Sequence, residues 1–299
     1  MTEHLQPHLA IALRHGQRGT YPTTIPRLGI GVGQATEGTS PCLYRSMICF
    51  ILQGSKDVAI HNDLLRYDSA QYLVSALDLP LSGQIHDAVD GRPYVAVSLV
   101  LDPALLADVA STMPVMRDAD TPGRGIVINW MTPPLRETLL RLMTLLDTPD
   151  DIPTLAPLVE RELLYRLLQG PQGLLLRHIA RPEGALGRIR RAVEWIRDHH
   201  NTRLRIEALC DASGMSRASL HRHFVALTGL SPIQYQKQLR LQEARQLLLA
   251  GDNSASDVAF TVGYESASQF SREYLRQFGA PPVRDVRQIR QSIGRLATN

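Results

Sequence analysis

Two arginines fifty positions apart occupy matching places in a repeated pattern near the C-terminus. The segments CDASGMSRASLHRHF and AFTVGYESASQFSREY align with Arg222 over Arg272. Each segment reads as a short helix, a glycine turn, a serine cap and a second helix. An arginine that projects from the second helix can donate hydrogen bonds to O6 and N7 of a guanine. The repeat therefore predicts two helix-turn-helix units that read base edges.

A helical wheel separates a buried stripe from an outward face in each copy. At about 100° per residue, Leu220 and Phe224 share the stripe in the first copy, as Phe270 and Tyr274 do in the second. We expect base contacts from the outward residues and from one flanking glutamine: Ala218, His221, Arg222, Ser268, Gln269, Ser271 and Arg272. Arg217 and Arg240 are expected to contact phosphates, which set register but carry little sequence information.

Ordinary amphipathic helices with solvated faces would give the same wheel if only one copy were present. Duplication favours the DNA-reading interpretation, because the stripe, the arginine and a turn glycine recur together. Gly214 pairs with Gly263, and the second copy holds one extra residue in its turn. Cys210 and Ala259 align at a point of close helix approach, so Cys210 is expected to pack and not to act as a nucleophile.

Charge is divided unevenly along the 299 residues. Residues 1–183 carry 15 Lys/Arg against 19 Asp/Glu, and residues 184–299 carry 17 against 10, so the net charges are −4 and +7. A basic C-terminal part suits double-stranded DNA as a partner. Arginine supplies nearly all the cations, which a GC-rich genome would also explain.

Several absences point to a cytoplasmic protein with no membrane partner. The chain has only three cysteines, too few for a disulfide framework. No apolar run approaches the ~20 residues of a membrane span, and the N-terminus lacks a signal-peptide pattern.

Periodicity changes twice along the chain. From about Leu28 to Leu101, short apolar or alternating runs separated by turn residues predict a β-rich sandwich or barrel. At Asp102, a predicted N-cap followed by Pro103, helical patterns begin. After a Gly- and Pro-containing connector over 170–186, every strong pattern is helical.

The predicted fold class is α+β, with two domains. An N-terminal domain over residues 1–183 would combine the β region with helices, and an all-α DNA-binding domain of seven short helices would occupy residues 184–299. Such a helical unit leaves little room for a catalytic cleft.

The stretch from Arg188 to Arg290 resembles the DNA-binding domain of AraC/XylS-type transcriptional regulators. The matching segments are MSRASLHRHF, TGLSPIQYQKQLRLQEARQLL and VAFTVGYESASQFSREYLRQFG. One departure is visible, since the family's usual Gly-x-Ser-Pro-x-x-Tyr-Arg appears as GAPPVR at 279–284. This change affects a turn after the second recognition helix.

The N-terminal region is similar to the regulatory domain of one AraC-type subfamily. The segments that carry the similarity are PCLYRSMICFILQGSKDVAI, LRYDSAQYLVSALDLPLSG, VSLVLDPALLADV and ERELLYRLLQGPQG. The resemblance implies a cupin-like β-barrel with helices that senses a small-molecule effector and often mediates dimerisation. A homodimer and RNA polymerase are therefore candidate partners. We expect an activator, although the sequence leaves repression open.

The predicted barrel offers few residues for catalysis. Cupin enzymes use a tight His-x-His group, whereas this region holds only His61 and His86, 25 residues apart, so we expect no metal and no cofactor. His221 and His223 do read His-x-His, but on a helix they point about 200° apart. The glycines of GIGVG at 29–33 do not have dinucleotide-loop spacing, and nucleophile-elbow and P-loop motifs are missing.

Two further features leave alternatives open. An exposed thiol with a lowered pKa at Cys42 or Cys49 would react with an electrophilic effector, while buried packing is the commoner role of a free cysteine. An apolar stripe suits a dimer contact or burial against the barrel equally well: Leu135, Leu139, Leu142, Met143 and Leu146. A cupin-type metalloenzyme with a helical appendage and a protein-binding repeat are the competing functions.

Overall fold

The computed structural model describes residues 3–36, 40–60, 63–88, 91–114, 124–251 and 253–297. Its strands are β1 (Gln17–Pro22), β2 (Leu28–Gly33), β3 (Ser40–Tyr44), β4 (Met47–Gln53), β5 (Ser55–Ile60), β6 (Asp63–Asp68), β7 (Gln71–Ser75), β8 (Leu79–His86), β9 (Tyr94–Val100) and β10 (Ile126–Trp130). Its helices are α1 (Gln6–His15), α2 (Pro103–Ser111), α3 (Pro133–Thr144), α4 (Ile152–Gln169), α5 (Gly173–Ile179), α6 (Ala185–Asp198), α7 (Ile206–Ser213), α8 (Arg217–Thr228), α9 (Pro232–Ala250), α10 (Ala255–Thr261), α11 (Ala267–Phe278) and α12 (Pro282–Ala297).

The strands form two antiparallel sheets that enclose an apolar interior. The six-stranded sheet has the order β1-β2-β9-β4-β7-β10, and the four-stranded sheet has the order β3-β8-β5-β6. The glycine-rich segment lies in β2, where Leu28 pairs with Leu99 of β9, so it is a strand. A β-rich domain followed by seven helices, α6–α12, confirms the predicted α+β class.

Helix α1 and strands β1 and β10 were not predicted from the sequence. Helix α1 and strand β1 precede the predicted β region, and β10 follows α2. Strand β1 contains a register shift at Arg18 and Gly19, which interrupts the alternation that would have identified it. Strand β10 pairs only with β7 at the edge of the sheet, beginning at Ile126 opposite Ser75.

Helix α2 begins as its sequence predicts. The Asp102 carboxylate accepts hydrogen bonds from the backbone nitrogens of Ala104 at 2.9 Å and Leu105 at 3.3 Å. Pro103 takes the first helical position, where no intrahelical N–H bond is lost.

The apolar stripe of α3 is buried inside the chain. The residues that were candidates for a dimer contact are all buried within this single chain: Leu135, Leu139, Leu142, Met143 and Leu146. Helix α3 packs mainly against α4 and α1. The hypothesis of dimerisation through this stripe is therefore wrong. Packing against the rest of the N-terminal region accounts for the apolar stripe. No described helix is both long and apolar enough to cross a membrane.

Two hydrophobic clusters divide the helices. The larger one runs without a break from the sheets through α6 and on to Leu220, Phe224 and Tyr235. The smaller one holds Phe270 and Tyr274 with their neighbours. The expected domain boundary at 183 and 184 falls in the connector between α5 and α6 and stays a prediction, since buried packing continues across it.

Candidate nucleic-acid interface

The first repeat folds as a helix, a tight turn and a second helix. Helix α7 ends at Ser213 and is capped by Gly214, whose φ of 64° lies in the left-handed region that favours glycine. Ser216 then caps α8, because its hydroxyl accepts a hydrogen bond from the backbone nitrogen of Ser219 at 3.4 Å. The glycine turn and serine cap thus appear where the sequence predicts them.

The second repeat has the same parts and a turn that is one residue longer. Gly263 follows α10 with a φ of 90°, and a Cβ there would lie 2.1 Å from the carbonyl oxygen of Asn201. Glycine is therefore required for both its conformation and its close approach to neighbouring backbone. Ser266 caps α11 through the backbone nitrogen of Gln269.

Each second helix is anchored by the predicted apolar stripe. Leu220, Phe224, Phe270 and Tyr274 are all essentially inaccessible to solvent. The ring of Phe224 meets Tyr235 of α9 edge to face at 5.5 Å. Aromatic contacts of this kind fix how far each helix can rotate about its axis. The opposite face of each helix is therefore held outward.

Most of the residues expected to read bases are exposed in the structure. Ala218, His221 and Arg222 of α8 are exposed, as are Ser268, Ser271 and Arg272 of α11. Gln269 is only half-buried, in keeping with its flanking position on the wheel. The structure places the two arginines on the outer faces of their helices, with Arg222 3.4 Å from the neighbouring His223.

Gln269 belongs to a network that ties α11 to α9. Its side-chain nitrogen donates to Glu273 at 3.2 Å, and Lys237 of α9 pairs with the same carboxylate oxygen at 2.9 Å. Tyr264 donates to the other oxygen of Glu273. Burial opposes ionisation of Glu273, but these hydrogen bonds outweigh it and hold the pKa of that carboxyl below its usual range. The network orients Gln269 at the edge of the exposed face.

The two expected phosphate contacts differ in accessibility. Arg217 is exposed at the first turn of α8, beside a helix N-terminus that favours anions. Arg240 is instead half-buried in α9, and its guanidinium donates to the carbonyl oxygens of His200, Thr202 and Gly263 at 2.6–2.7 Å. The expectation for Arg240 is corrected, because all three guanidinium nitrogens are committed to the fold.

One buried ion pair in the second unit was not predicted from the sequence. Asp285 of α12 forms a two-pronged pair with Arg245 of α9, with both N···O distances 2.8 Å. The hydroxyl of Tyr274 donates to the same carboxylate at 2.8 Å, and the pKa of Tyr274 is raised by its burial and by this bond. The only available signal was an acidic residue inside an otherwise basic, amphipathic helix.

The thiols of the β domain are not exposed. Cys49 is buried in β4, Cys42 is half-buried in β3, and burial raises the pKa of both thiols. The positive charge of Lys56, whose ammonium lies 4.7 Å from the ring centre of Tyr44, opposes this effect without outweighing it. The conformation described therefore disfavours the thiolate that an electrophile would attack.

The metal-ligand candidates of the β domain do not form a cluster in the part of the chain that the structure describes. His61 lies outside the described residues. His86 pairs with Asp57 at 2.9 Å, and Arg66 also binds that carboxylate, at 2.7 Å. Across the described ranges, no group of three or more His, Cys, Asp or Glu side chains is arranged to hold a metal ion.

Comparison of the chain with solved structures shows a shared fold. An apo variant of ToxT from Vibrio cholerae superposes with a TM-score of 0.58 at 11% identity, over 90% of this chain and 98% of that one. Wild-type ToxT from Vibrio cholerae with a bound unsaturated fatty acid gives a TM-score of 0.56 at 11% identity, over 90% and 97% of the two chains.

Sequence comparison extends to curated relatives. The HTH-type transcriptional activator RhaS of Escherichia coli O1:K1 is 30% identical over 188 residues, which are 62% of this chain and 64% of the relative. RhaS of Citrobacter koseri is 34% identical over 146 residues, or 48% of this chain and 50% of the relative. The chain thus matches less than two thirds of the length of these relatives.

Family models account for both parts of the chain. Residues 209–288, which include both repeats, match a helix-turn-helix domain. Residues 24–175, just over half of the chain, match the N-terminus of AraC-type transcriptional regulators. With a β-rich domain placed before two helix-turn-helix units, the chain belongs to the family of AraC-type transcriptional regulators.

Proposed function

We propose that the protein is a sequence-specific DNA-binding regulator of transcription that responds to a small-molecule effector. The observation that carries the proposal is the equivalent, exposed placement of Arg222 and Arg272 on two capped helices whose opposite faces are buried. A guanidinium on such a helix can reach guanine O6 and N7 in the major groove. An enzymatic role has no comparable support, and we propose that the protein is not an enzyme.

The two recognition helices would bind successive segments of the major groove on one face of the duplex. Half-sites read by paired helix-turn-helix units lie about 34 Å apart along DNA. Because the two faces carry different residues, with His221 in one and Ser271 in the other, a single subunit would read an asymmetric site. Arg217 would contact a phosphate and fix the register.

The remaining parts of the proposal concern partners and location. RhaS is named a transcriptional activator, and ToxT is described with an unsaturated fatty acid bound. By analogy, this chain would activate transcription in the cytoplasm and sense a small molecule through residues 1–183, with residues 184–299 binding promoter DNA. RNA polymerase and a second copy of the chain are proposed further partners.

Selection of binding sites from random double-stranded DNA tests the proposal. The full chain is expected to enrich a bipartite sequence whose two parts are one helical turn apart. Arg222→Ala and Arg272→Ala should each cost about 1–3 kcal/mol of binding free energy and relax the preference in one part only. Arg287→Ala, an exposed arginine of α12, is the matched control.

The outcome that would reject the proposal is equally specific. If the protein enriches no sequence, or if both arginine variants keep the wild-type affinity and preference, these helices do not read bases. Binding should also weaken steeply as salt rises, because phosphate contacts release counterions.

A further inference from the structure

Leu275 of α11 is an apolar residue on a face that is otherwise polar. Its side chain is 45% accessible to solvent. It directly follows the buried Tyr274, yet it belongs to neither of the two hydrophobic clusters that the described residues form. A single exposed leucine is common on protein surfaces and would by itself need no explanation. Two features of its position indicate a further role: the row of side chains that it completes and its match in the first unit.

Leu275 completes a row of exposed side chains along the outward face of α11. At about 100° per residue, it lies about 20° around the helix axis from Ser268 and about 60° from Arg272. The row is spaced i, i+3, i+4 and i+7, and its members are Ser268, Ser271, Arg272 and Leu275. A recognition helix that lies in the major groove can read bases from four positions with this spacing. Seven residues of helix extend about 10 Å, which is long enough to follow about three base pairs.

The first unit has the same row, and it ends in the same type of residue. Val225 of α8 stands fifty positions before Leu275, at the last position of a row with identical spacing: Ala218, His221, Arg222 and Val225. Val225 is half-buried, and it likewise belongs to neither hydrophobic cluster of the described residues. An aliphatic residue therefore follows the outward arginine by three positions in both units. Solvation of each face would not favour such a recurrence.

The third turn of α11, which carries Leu275, is held against the rest of the second unit. The hydroxyl of the neighbouring Tyr274 donates to Asp285 at 2.8 Å, and the rings of Tyr274 and Phe278 meet edge to face with their centres 4.3 Å apart. The backbone nitrogen of Gly279 donates to the carbonyl oxygen of Leu275 at 2.8 Å. These contacts limit rotation of this turn, so the side chain of Leu275 keeps its outward direction.

The chemistry of leucine limits what Leu275 can recognise on DNA. Its side chain has no hydrogen-bonding group, so it cannot recognise the donors and acceptors of a base edge. The apolar group that a base pair presents in the major groove is the C5-methyl group of thymine. Ser268 and Ser271 are small, so they let the helix backbone come close enough to the groove for an aliphatic side chain to reach that methyl group.

We propose that Leu275 is a specificity-determining residue, which packs against the C5-methyl group of a thymine in the part of the site that the second unit reads. The inference rests on the proposed function and deepens it, because it names a base that an arginine does not select. Leu275 lies three residues after Arg272, or about 4.5 Å along the helix axis, so the thymine should lie within about two base pairs of the guanine that Arg272 contacts. The contact removes apolar surface from water and requires no hydrogen bond.

Replacement of thymine by deoxyuridine tests the contact, because it removes the C5-methyl group and leaves the hydrogen-bonding groups of the base pair unchanged. The site selected from random DNA supplies the duplex, each of its thymines is replaced in turn, and the affinity of the full chain is measured by fluorescence anisotropy. One replacement, in the part whose preference Arg272→Ala relaxes, should weaken wild-type binding about fourfold, since one methyl group leaves an apolar contact.

Variants assign the effect to Leu275. Leu275→Ala should bind the thymine and deoxyuridine duplexes equally well, whereas a purely structural role of Leu275 would lower the affinity for both duplexes alike. Leu275→Met keeps an apolar side chain of similar volume and should retain most of the preference for thymine. Leu158→Ala changes another exposed leucine, in α4, outside the helix-turn-helix units. It is the matched control and should keep the whole difference between the two duplexes.

The results separate this contact from the proposed function. The assignment to Leu275 is overturned if no thymine replacement weakens wild-type binding, or if Leu275→Ala keeps the difference between the two duplexes. It is also overturned if the sensitive thymine lies in the part whose preference Arg222→Ala relaxes. In each of these cases the enriched sequence still supports the proposed function. Failure to enrich any sequence rejects the proposed function, and the thymine contact with it.

Discussion

Arg240, in the helix that joins the two units, donates a hydrogen bond from Nη1 to the carbonyl oxygen of Gly263 in the turn of the second unit, over 2.7 Å. Its other nitrogens bind the carbonyls of His200 and Thr202, which follow α6. One side chain therefore connects the end of α6, the joining helix and the second turn. This arrangement gives Arg240 a role in stability.

Replacement of Arg240 by alanine should lower the free energy of unfolding by roughly 2–4 kcal/mol, because three backbone carbonyls lose a charged donor and two of these hydrogen bonds are half-buried. Urea unfolding followed by circular dichroism measures the change. Arg217→Ala, at an exposed position, is the control and should change stability by less than about 0.5 kcal/mol. If Arg240→Ala is as stable as the control, Arg240 does not stabilise the fold and becomes a candidate phosphate contact again.

The Arg245–Asp285 pair should be far more sensitive to change than the tyrosine that shares it. Asp285→Ala leaves the mostly buried Arg245 unpaired and should lower the free energy of unfolding by about 3–5 kcal/mol. Tyr274→Phe removes a single hydrogen bond and should cost about 0.5–1.5 kcal/mol. Thermal unfolding of the two variants compares them directly, and similar losses in both would show that the ion pair contributes little.

Native thiol reactivity should be low at Cys42 and Cys49. Burial raises the pKa of both groups, so the thiolate fraction at neutral pH is small and access is limited. Alkylation by iodoacetamide, read by mass spectrometry peptide by peptide, should proceed much more slowly in the folded protein than in urea. Rapid native labelling of Cys49, together with loss of the effector response in Cys49→Ser, would support the sensing role that burial argues against.

Stability should fall in mild acid through His8. Burial lowers the pKa of this histidine in the folded state, where its Nε2 donates to the carbonyl oxygen of Arg136 at 2.9 Å. As pH falls below about 6.5, the unfolded chain takes up a proton that the folded chain resists, so unfolding becomes easier.

A comparison of variants isolates the contribution of His8. When the pH is lowered from about 7.5 to about 5.5, the free energy of unfolding of the wild type should fall by up to about 1.4 kcal/mol more than that of His8→Gln. Urea unfolding at both pH values supplies the measurement, and parallel losses in the two proteins would contradict the assignment.

The outward faces could be predicted from sequence because helix periodicity and caps are local properties. Ser216, Ser266 and the two turn glycines define each helix start, after which the positions of Arg222 and Arg272 follow. Arg240 could not be assigned in this way. Its partners are backbone carbonyls up to forty positions away, and no side-chain pattern marks a carbonyl oxygen.

The β domain also contains contacts between distant residues that the sequence pattern could not predict. The alternating runs predicted the strands between Leu28 and Leu101, but β10 pairs with β7 across more than fifty residues of sequence. The α3 stripe was ambiguous for a related reason. An apolar face requires a partner, and only the fold shows that α4 and α1 supply it within the same chain.

The division of the apolar interior also bears on how this protein could be re-engineered. Leu220 and Phe224 share one continuous interior with the sheets, whereas Phe270 and Tyr274 belong to a separate one. A chimaera cut at residue 183 would split that shared interior and expose apolar surface on both fragments. A graft within α9, after Leu239, would exchange only the second half of the helical region and leave the shared interior whole, so new target preferences are best installed there.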